Sequence, residues 1–408
     1  MKQRLDPMDR CDVTAAGHLV YDGVDLSRMA LEYETPFYLL SERVLRANHE
    51  KFMAAFAGLP GFKPYFSVKT NYESGVLCTL RDLGAGAEVS GGLDFEATRR
   101  AGFAPDDIVF DGPSKTEPDL RAAIDYGVHL INVECESELS LIDRLARERR
   151  RVVKVGMRID PVVKNPSYGK LISTYKQKFG FPINDCGAIF ELAARCKNVQ
   201  VVGLHAHIGS QITAPGLYAT NLTVLLELAA RLKQSGVIIA EINLGGGFPA
   251  RYRAEVNGIE AYCEAVTRAL VRHFGNRMPE VIIEPGRSMV GDAGVIQSEV
   301  VLVSRKAAND RKRWVYLDIG KFSGLAETMG ESIKYRLRTG HDGTRVGPVV
   351  LAGPTCDSAD ILYEKADYRL PEDLEIGDKL EIRAAGAYTT TYASVAFNGF
   401  EPLKTYCV

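Results

Sequence analysis

A lysine lies at the end of an apolar run in the segment YFSVKTN, residues 65–71. Side chains of an extended run alternate between two faces, so Lys69 is predicted to share a face with Ser67 and Tyr65. Lysine is seldom buried, because removing an ammonium from water is costly unless the group is paired or covalently engaged. We therefore expect Lys69 to be a buried lysine with a chemical role.

Two later segments carry groups suited to an anion. The run Gly245-Gly246-Gly247 can bring backbone N–H groups close to an anion, because glycine has no Cβ to obstruct the approach. Arg287, in EPGRSMV, offers a guanidinium that suits a phosphate. An amine beside a phosphate cradle is the arrangement that holds pyridoxal phosphate as a Schiff base, and Glu284 is predicted to pair with the pyridine nitrogen.

Two histidines occupy alternate positions in the strand-like run VVGLHAHI, residues 201–208. Both are predicted to point to the interior, since residues two apart share a face. For His205, one layer deeper, we expect a hydrogen-bonded core residue. His207, nearer the strand end, is predicted to lie flat against the cofactor ring.

These groups need a scaffold that brings strand ends together. From residue 63 the sequence repeats a short apolar strand and a helix-like stretch whose apolar residues recur at three- and four-residue spacing. Strands are predicted at 63–69, 87–90, 107–112, 129–134, 153–159, 201–208, 241–246 and 280–286. Eight such units fit an α/β fold of the (β/α)₈ TIM-barrel type, whose active site lies at the carboxyl ends of the strands. A doubly wound open sheet is the alternative.

The sequence changes character after residue 287. Runs rich in Val, Ile, Tyr and Thr, such as VIQSEVVLVSRK, RWVYLDIG, GPVVLAGP and GDKLEIRAAGAY, predict an antiparallel β domain. The first 35 residues, with HLVYDGVDL, resemble these strands more than those of the barrel. We therefore predict a barrel over residues 36–287 and a β-sandwich or barrel-like domain built from residues 1–35 and 288–408.

Composition narrows the class of partner. The 408 residues include 50 basic and 52 acidic ones, with a formal net charge of −2, which gives no electrostatic reason to expect nucleic acid or an anionic membrane. The chain lacks an apolar stretch long enough to cross a bilayer and begins without a signal-peptide core, so we expect a cytoplasmic protein with a small-molecule partner. The eight cysteines form no C-x-x-C pair, which argues against a zinc site and a disulfide framework.

Six segments together resemble the fold-type III pyridoxal-phosphate decarboxylases, a family that includes ornithine, lysine and diaminopimelate decarboxylases and has an alanine racemase-like barrel. The segments are YFSVKTN, HAHIGSQ, INLGGGFP, EPGRSMV, LAGPTCDSADIL and GAYTTTYASVAFNGF. The resemblance runs from TPFYLL at 35–40 to FNGFEPL at 397–403. It implies a carboxy-lyase that uses pyridoxal phosphate and forms a homodimer with active sites shared across the interface.

The resemblance also implies a role for each matching residue. Lys69 resembles the Schiff-base lysine, His207 the histidine stacked on the ring, and Glu284 the partner of the pyridinium nitrogen. Cys356 resembles a cysteine that a neighbouring subunit contributes, where it is implicated in reprotonating the carbanionic carbon. The other residues implied to bind the cofactor or its phosphate are Glu88, Arg158, Ser210, Gly245, Gly246, Gly247, Gly286, Arg287 and Tyr388.

Substrate contacts follow from the same resemblance. Asp357 resembles the carboxylate that meets the distal amine of the substrate, and a second acid is expected from Glu327 or Glu331. The R-P-x-L-Y signature expected of diaminopimelate decarboxylases after the Asp318 strand is missing. Two arginines in IKYRLR, Arg336 and Arg338, offer a carboxylate partner instead.

The two halves of the chain disagree about the substrate. RIDPVVKNPSYG with KFGFP is nearer to diaminopimelate decarboxylases, whereas DIGKFSGLAET, GPTCDSAD and GAYTTTY are nearer to bacterial ornithine decarboxylases. We expect decarboxylation of a basic L-amino acid, ornithine first and lysine second, to the diamine and carbon dioxide. The alternative is diaminopimelate or a related intermediate in siderophore or antibiotic biosynthesis. A non-catalytic regulatory homologue is disfavoured, because every cofactor residue that can be matched is retained.

Overall fold

The computed structural model describes residues 11–14, 16–59, 62–161, 178–184, 186–274, 278–395, 397–399 and 403–407. The described strands are β1 Cys11–Val13, β2 Leu19–Tyr21, β3 Val24–Asp25, β4 Phe37–Leu40, β5 Lys63–Ser67, β6 Gly86–Val89, β7 Ile108–Phe110, β8 Leu130–Val133, β9 Val153–Asp160, β10 Phe181–Pro182, β11 Val199–His205, β12 Glu241–Asn243, β13 Glu280–Ile283, β14 Gly294–Ser304, β15 Arg313–Leu317, β16 Arg336–Thr339, β17 Val346–Ala352, β18 Ile361–Pro371, β19 Lys379–Arg383 and β20 Lys404–Cys407. The described α-helices are α1 Leu26–Glu32, α2 Glu42–Ala55, α3 Ser74–Asp82, α4 Gly92–Arg100, α5 Glu117–Tyr126, α6 Glu136–Glu148, α7 Gly187–Arg195, α8 Gly216–Gln234, α9 Ile259–Phe274 and α10 Arg287–Val290. Most of the diaminopimelate-like segment RIDPVVKNPSYG, from residue 162 onwards, lies outside the described residues, as does part of FNGFEPL.

One of two compact units comprises residues 46–249 and 256–289 and contains a closed parallel barrel. Its strands follow the order β9-β11-β12-β13-β5-β6-β7-β8, and pairing of β8 with β9 closes the ring. The short strand β10 pairs with the end of β9. The predicted eight-stranded barrel is confirmed, and the open-sheet alternative is wrong because the β8–β9 pairing joins its two edges.

The interior of the barrel is layered. Tyr65, Val109, Leu130, Val202 and Ile282, from five different strands, form a buried apolar cluster. Because side chains two residues apart in a strand share a face, the next inward position on most of these strands lies one layer nearer the carboxyl ends. Polar residues occupy that next layer, and they build the site described below.

The other unit comprises residues 1–45, 250–255 and 290–408. Its main sheet has the order β16-β19-β14-β15-β17-β18, with β4 pairing to β14 and β20 to β4. The strands β1, β2 and β3 form a separate antiparallel sheet. The sequence-based boundaries at residues 36 and 288 stay predictions; the observed division also assigns residues 36–45 and 250–255 to this unit.

The predicted second domain of β structure is confirmed and most of its strand pairs are antiparallel, but the sheet is mixed rather than antiparallel throughout. β15 runs parallel to β17, and β4 runs parallel to β20. Between β15 and β17 the chain passes through β16, which lies elsewhere in the sheet beside β19. That excursion is a crossover, so the chain returns to pair in the same direction.

Two further sequence expectations concern helices and cysteines. Among the described residues, no helix combines the length and apolarity needed to cross a bilayer. The seven cysteines with described side chains are free thiols, and Cys356 is exposed.

Candidate active site

Every barrel strand contributes a polar side chain near its carboxyl end. The set comprises Ser67, Glu88, Asp111, Asn132, Arg158, His205, Asn243 and Glu284, and all eight residues are buried. Strand register pairs Ser67 with Glu88, and Arg158 with His205. Because the carboxyl ends of parallel barrel strands meet at one mouth, these side chains form a continuous layer, which we call the polar layer.

Lys69 stands above the polar layer and is tied to it by Glu88. Its Nζ donates to Oε2 of Glu88 at 2.5 Å and to Oγ of Ser90 at 3.1 Å. Glu88 also accepts hydrogen bonds from the hydroxyls of Ser67 and Ser90, on Oε2 and Oε1 respectively. The Lys69 amine is therefore anchored by a fully buried carboxylate.

The predicted burial of Lys69 and its predicted place in the strand are wrong. β5 ends at Ser67, and Val68–Thr70 form a 3₁₀ turn closed by a hydrogen bond from the Asn71 N–H to the Val68 carbonyl. The Lys69 side chain is 42 % exposed. The turn carries the amine out of the packed strand region, which keeps it accessible to a small molecule.

A fully buried lysine occurs instead at Lys115, which sequence reasoning missed. Its Nζ contacts Oε1 of Glu138 at 2.8 Å and donates to the carbonyls of Gly112 and Asn132. Three acceptors match the three N–H bonds of an ammonium, so this lysine is structural. No local signal predicts the pair, because Lys115 and Glu138 belong to different loop and helix segments.

Glu284 directly follows β13 and is buried. Its Oε1 accepts a hydrogen bond of 2.6 Å from the amide of Asn243, whose own oxygen accepts from the Gly245 N–H. Burial raises the pKa of Glu284, and the charge of Asp111 acts in the same direction, while His205 opposes both. The carboxyl thus has a fixed orientation and a proton affinity above that of a solvated glutamate.

His205 is buried as expected, but it is not the hydrogen-bonded core residue that we predicted. Its Nε2 lies 3.6 Å from Oδ2 of Asp111 and 3.6 Å from Oε2 of Glu284, which is ion-pair rather than hydrogen-bond distance. Burial lowers the pKa of His205, but the charges of Asp111 and Glu284 outweigh it, and the pKa is raised overall. These three side chains offer donor atoms that all lie within 4.8 Å of one another.

His207 lies two residues beyond the end of β11. The Gly246 N–H donates to its Nδ1 at 3.1 Å, so the proton of the neutral ring is on Nε2. Burial lowers the pKa of His207 well below its ordinary value, and the charges of Arg158 and Lys69 add to this effect. The ring is therefore neutral, which suits the predicted contact with an aromatic cofactor.

The glycine run forms a tight cradle next to His207. A Cβ on Gly246 would lie 2.3 Å from the carbonyl oxygen of Glu284, and one on Gly247 would lie 2.2 Å from that of Gly209. Gly247 also has φ of +96°, in the left-handed region that favours glycine. Neither position has room for a side chain, so backbone groups line the surface here.

Arg287 and Ser210 meet beside this cradle. The guanidinium donates from Nε and Nη2 to the Ser210 Oγ at 3.3 Å, and Arg287 is buried. A Cβ on Gly286 would lie 2.1 Å from Oγ1 of Thr70, so this segment packs directly against the turn that carries Lys69. The structure thus brings the predicted phosphate-binding residues of the barrel unit close to the predicted Schiff-base lysine.

Arg158 has a carboxylate partner that sequence reasoning missed. Its Nη1 donates to Oε1 of Glu134 at 2.5 Å, and Oε2 of Glu134 accepts from the Gly180 N–H. The guanidinium also lies over the Phe179 ring, 4.6 Å from its centroid. Glu134 is the last residue of the strand predicted at 129–134. Its place at a strand end is the sequence feature from which a position at the barrel mouth could have been predicted.

In the other unit, the segment that carries Cys356 and Asp357 is organised by Asp360. The buried Asp360 carboxylate accepts from the N–H groups of Lys321 and Thr355 and from the Thr355 hydroxyl. The Asp360 N–H donates to the Asp357 carbonyl. Lys321 and the Cys356–Asp357 segment are therefore held side by side.

The structure places both candidates for the second acid, Glu327 and Glu331, in one segment. Glu331 accepts backbone hydrogen bonds from Glu364, Lys365 and Ala366, so both of its oxygens are engaged in holding β18. Glu327 is half-buried within the same 3₁₀ segment, Ala326–Glu331. The role of either residue as the second acid stays a prediction.

Three other predicted residues lie in the same unit. Arg336 and Arg338 are half-buried on β16, and the Nε of Arg338 lies 3.6 Å from Oδ2 of Asp342. Tyr388 follows β19 with φ of +57°, an uncommon backbone conformation for tyrosine. The cofactor role of Tyr388 stays a prediction.

Comparison with known proteins identifies the chemistry that this site performs. Residues 43–291 match the family described as pyridoxal-dependent decarboxylase, pyridoxal binding domain. The diaminopimelate decarboxylase of Pseudomonas aeruginosa is 33 % identical over 379 residues, which cover 91 % of this chain and 87 % of the relative. The chain belongs to this decarboxylase family. It is a pyridoxal-phosphate-dependent carboxy-lyase of fold type III.

Solved structures of family members agree with this assignment. The diaminopimelate decarboxylase of M. jannaschii in co-complex with L-lysine matches with a TM-score of 0.89 and 27 % identity, covering 98 % of this chain and 93 % of that one. The lysine/ornithine decarboxylase of Vibrio vulnificus complexed with putrescine matches with a TM-score of 0.81 and 26 % identity, covering 97 % and 99 %.

The residues of the barrel mouth fit pyridoxal phosphate. The accessible amine suits its aldehyde, and the buried carboxyl suits its ring nitrogen. The backbone cradle without side chains and the buried arginine suit its phosphate. Lys69, Glu284 and Arg287 would hold these three parts respectively.

Proposed function

We propose that this decarboxylase acts on diaminopimelate or a closely similar diamino diacid. The observation that carries the proposal is the 33 % identity to the Pseudomonas aeruginosa diaminopimelate decarboxylase over 91 % of this chain. The relatives therefore favour the alternative raised by the sequence over its first choice, ornithine.

The arrangement around Asp360 supports a substrate with a zwitterionic distal end. The distal end of diaminopimelate carries both an ammonium and a carboxylate, whereas that of ornithine carries only an ammonium. Asp357 offers a carboxylate for the former, and Lys321, held beside it through Asp360, offers an ammonium for the latter.

Lys321 is suited to bind a carboxylate. Within the described part of the chain, no hydrogen bond or ion pair to its ammonium is found. Burial lowers its pKa, while the charges of Asp360 and Glu331 act in the opposite direction. It follows the Asp318 strand, the region in which the diaminopimelate signature expects its arginine, so it compensates for the missing signature.

The residues proposed for the active site have different roles in the reaction. Pyridoxal phosphate, when bound, supplies an electron-withdrawing ring that accepts the electron pair left by the departing carbon dioxide. Glu88 holds the Lys69 amine in place, and neutral His207 offers a flat surface without adding charge. Glu284 would accept a hydrogen bond from a protonated ring nitrogen, and the Cys356 Sγ would return a proton to the substrate carbon.

A homodimer is part of the proposal. Cys356 is exposed in the described chain, as a residue must be if it enters the site of a second copy.

A basic amino acid, ornithine or lysine, is the second candidate substrate, because the Vibrio vulnificus lysine/ornithine decarboxylase shares the fold at 26 % identity and Asp357 suits an ammonium.

A substrate panel tests the proposal. Carbon dioxide release from diaminopimelate, ornithine, lysine, arginine and diaminobutyrate is compared as kcat/KM for the wild type and for Lys321→Met. A charge-assisted contact contributes roughly 1.5–3 kcal/mol, so the variant should lose about 10- to 150-fold in kcat/KM for diaminopimelate and little for ornithine. Preference of the wild type for ornithine, with no effect of Lys321→Met, would refute the diamino diacid assignment.

A further inference from the structure

His205 occupies a position in the polar layer that the reaction described above does not use. A single nitrogen, Nε2, is equally distant from carboxylate oxygens of Asp111 and Glu284, at 3.6 Å from each. All three side chains are buried. Asp111 is in turn held by the Asn132 amide, and Glu284 by the Asn243 amide, so both carboxylates are fixed in place.

Without a charge on His205, two carboxylates of the polar layer have no cationic partner among the described residues. Glu88 is paired with Lys69, and Glu134 is paired with Arg158, both at 2.5 Å. Asp111 and Glu284 remain as two buried carboxylates that share one neighbourhood. Two like charges in a desolvated site cannot both persist, and one of them normally takes up a proton.

The surroundings of His205 include titratable and charged groups from several elements. These are Lys69, Glu88, Asp111, Arg158, His207 and Glu284. Of these, the two carboxylates at 3.6 Å favour the protonated imidazole, whereas Arg158 disfavours it. His205 burial also opposes protonation, so the paired carboxylates decide the balance.

We propose that His205 is a positioning residue whose positive charge neutralises Asp111 and thereby keeps Glu284 ionised and oriented toward the nitrogen of pyridoxal phosphate. Glu284 would then offer the cofactor nitrogen a hydrogen-bond acceptor rather than a protonated carboxyl. With His205 charged, a single negative charge remains in the layer, and a protonated ring nitrogen balances it. This role is independent of which amino acid is the substrate.

The wild-type holoenzyme provides the first test. Nitrogen-15 NMR of histidine-labelled protein should show His205 protonated on both ring nitrogens at neutral pH, while His207 stays neutral. A His205 imidazole that is neutral under these conditions would overturn the proposal, whatever the variants do.

Variants provide the second test, with infrared detection of a protonated carboxyl and titration of pyridoxal phosphate into the cofactor-free protein. His205→Gln retains a neutral donor near the Nε2 position but lacks the charge. It should acquire a protonated carboxyl at neutral pH and bind pyridoxal phosphate about tenfold more weakly. Removing the competing charge as well, in Asp111→Asn/His205→Gln, should abolish the carboxyl signal and restore most of the affinity.

This rescue separates a charge role from a packing role. If His205 served only to fill space, the second substitution would add damage instead of repairing it. His129→Gln is the matched control, because His129 also pairs with a carboxylate, Glu241 at 3.2 Å, but at the amino ends of the strands. It should leave the carboxyl signal and the cofactor affinity unchanged. Absence of the carboxyl signal in His205→Gln, or a double variant that binds no better than it, would overturn the proposal.

Discussion

Lys69 and Glu88 form an ion pair in which one partner is fully buried and the other is partly open: the Glu88 side chain is 0 % exposed and the Lys69 side chain 42 %. Nζ lies 2.5 Å from Oε2. A buried carboxylate without a partner is costly, so Glu88 fixes the amine while leaving one side of it accessible. The pair therefore combines two requirements of a covalent cofactor site, a defined position and access.

Lys69→Ala should abolish turnover and the visible absorption band of the bound cofactor, because the amine that would hold it is lost. The variant should also be less stable than the wild type, since Glu88 is left buried without its cation. Adding Glu88→Gln should recover stability but not turnover, as measured by urea unfolding and carbon dioxide release.

Lys115→Met is the matched control for that experiment. It removes a buried lysine whose partner Glu138 is then unpaired, and removing one partner of a buried pair costs roughly 3–5 kcal/mol. The folded fraction should still show the cofactor band. A Lys69→Ala protein that keeps a borohydride-sensitive band would contradict the assignment of the amine.

Glu331→Ala should destabilise the unit that contains residues 290–408 without changing substrate preference. The carboxylate accepts three backbone N–H groups of β18, and a hydrogen bond of this kind contributes about 0.5–1.5 kcal/mol, because water can replace it at these exposed or half-buried positions. Glu327→Gln should instead raise KM for the preferred substrate if Glu327 is the second acid. Urea midpoints and KM values separate the two, and a reversed pattern would make Glu331 the second acid.

The barrel could be predicted from sequence because its strands are buried on both faces. Ile108–Phe110, for example, is a continuous apolar run between amphipathic helices, the usual pattern of parallel strands. Strand ends could not be predicted equally well. The strands expected to reach residues 69, 208 and 246 end at Ser67, His205 and Asn243, where local turns and glycines redirect the chain.

Sequence alone could predict single residues whose type carries the chemistry. It could not predict pairs of residues that are distant in the sequence. Lys69, Glu284 and Arg287 stand at or just beyond strand ends, so topology alone brings them together. The partners Lys115 with Glu138 and Arg158 with Glu134 depend on packing between separate segments. The mixed β sheet was missed for the same reason, since parallel pairing of β15 with β17 requires the intervening chain to leave and return.

The pH dependence of stability should report the neutral state of His207. Its pKa in the folded protein lies well below the ordinary value of 6.5, mainly because of burial. Below that value the unfolded chain binds a proton that the folded protein does not, so stability falls as the pH drops. In cofactor-free His207→Gln this loss should be smaller, as measured by urea unfolding at a series of pH values.

His341 provides the opposite control. Burial opposes protonation, but Asp378 and Asp373 outweigh it and raise the pKa of His341. The folded protein then holds a proton that the unfolded chain releases, so its contribution is present below pH 6.5 and lost as the pH rises through the folded pKa. His341→Gln should flatten the alkaline side of the profile and leave the acid side unchanged. Equal effects of both variants on the acid side would argue against a neutral His207.

The last prediction concerns the proposed homodimer. If Cys356 enters the barrel mouth of a second copy, each site of a two-fold dimer is built from Lys69 of one subunit and Cys356 of the other. Lys69→Ala and Cys356→Ala proteins, each nearly inactive, should then complement when subunits are dissociated and mixed. In a mixed dimer one site inherits both defects and the other neither, so random reassortment should restore about a quarter of wild-type activity. Subunit exchange is verified separately by mass-tagged protomers. Exchange without any recovered activity would mean that each site lies within one chain, and that Cys356 does not act across the interface.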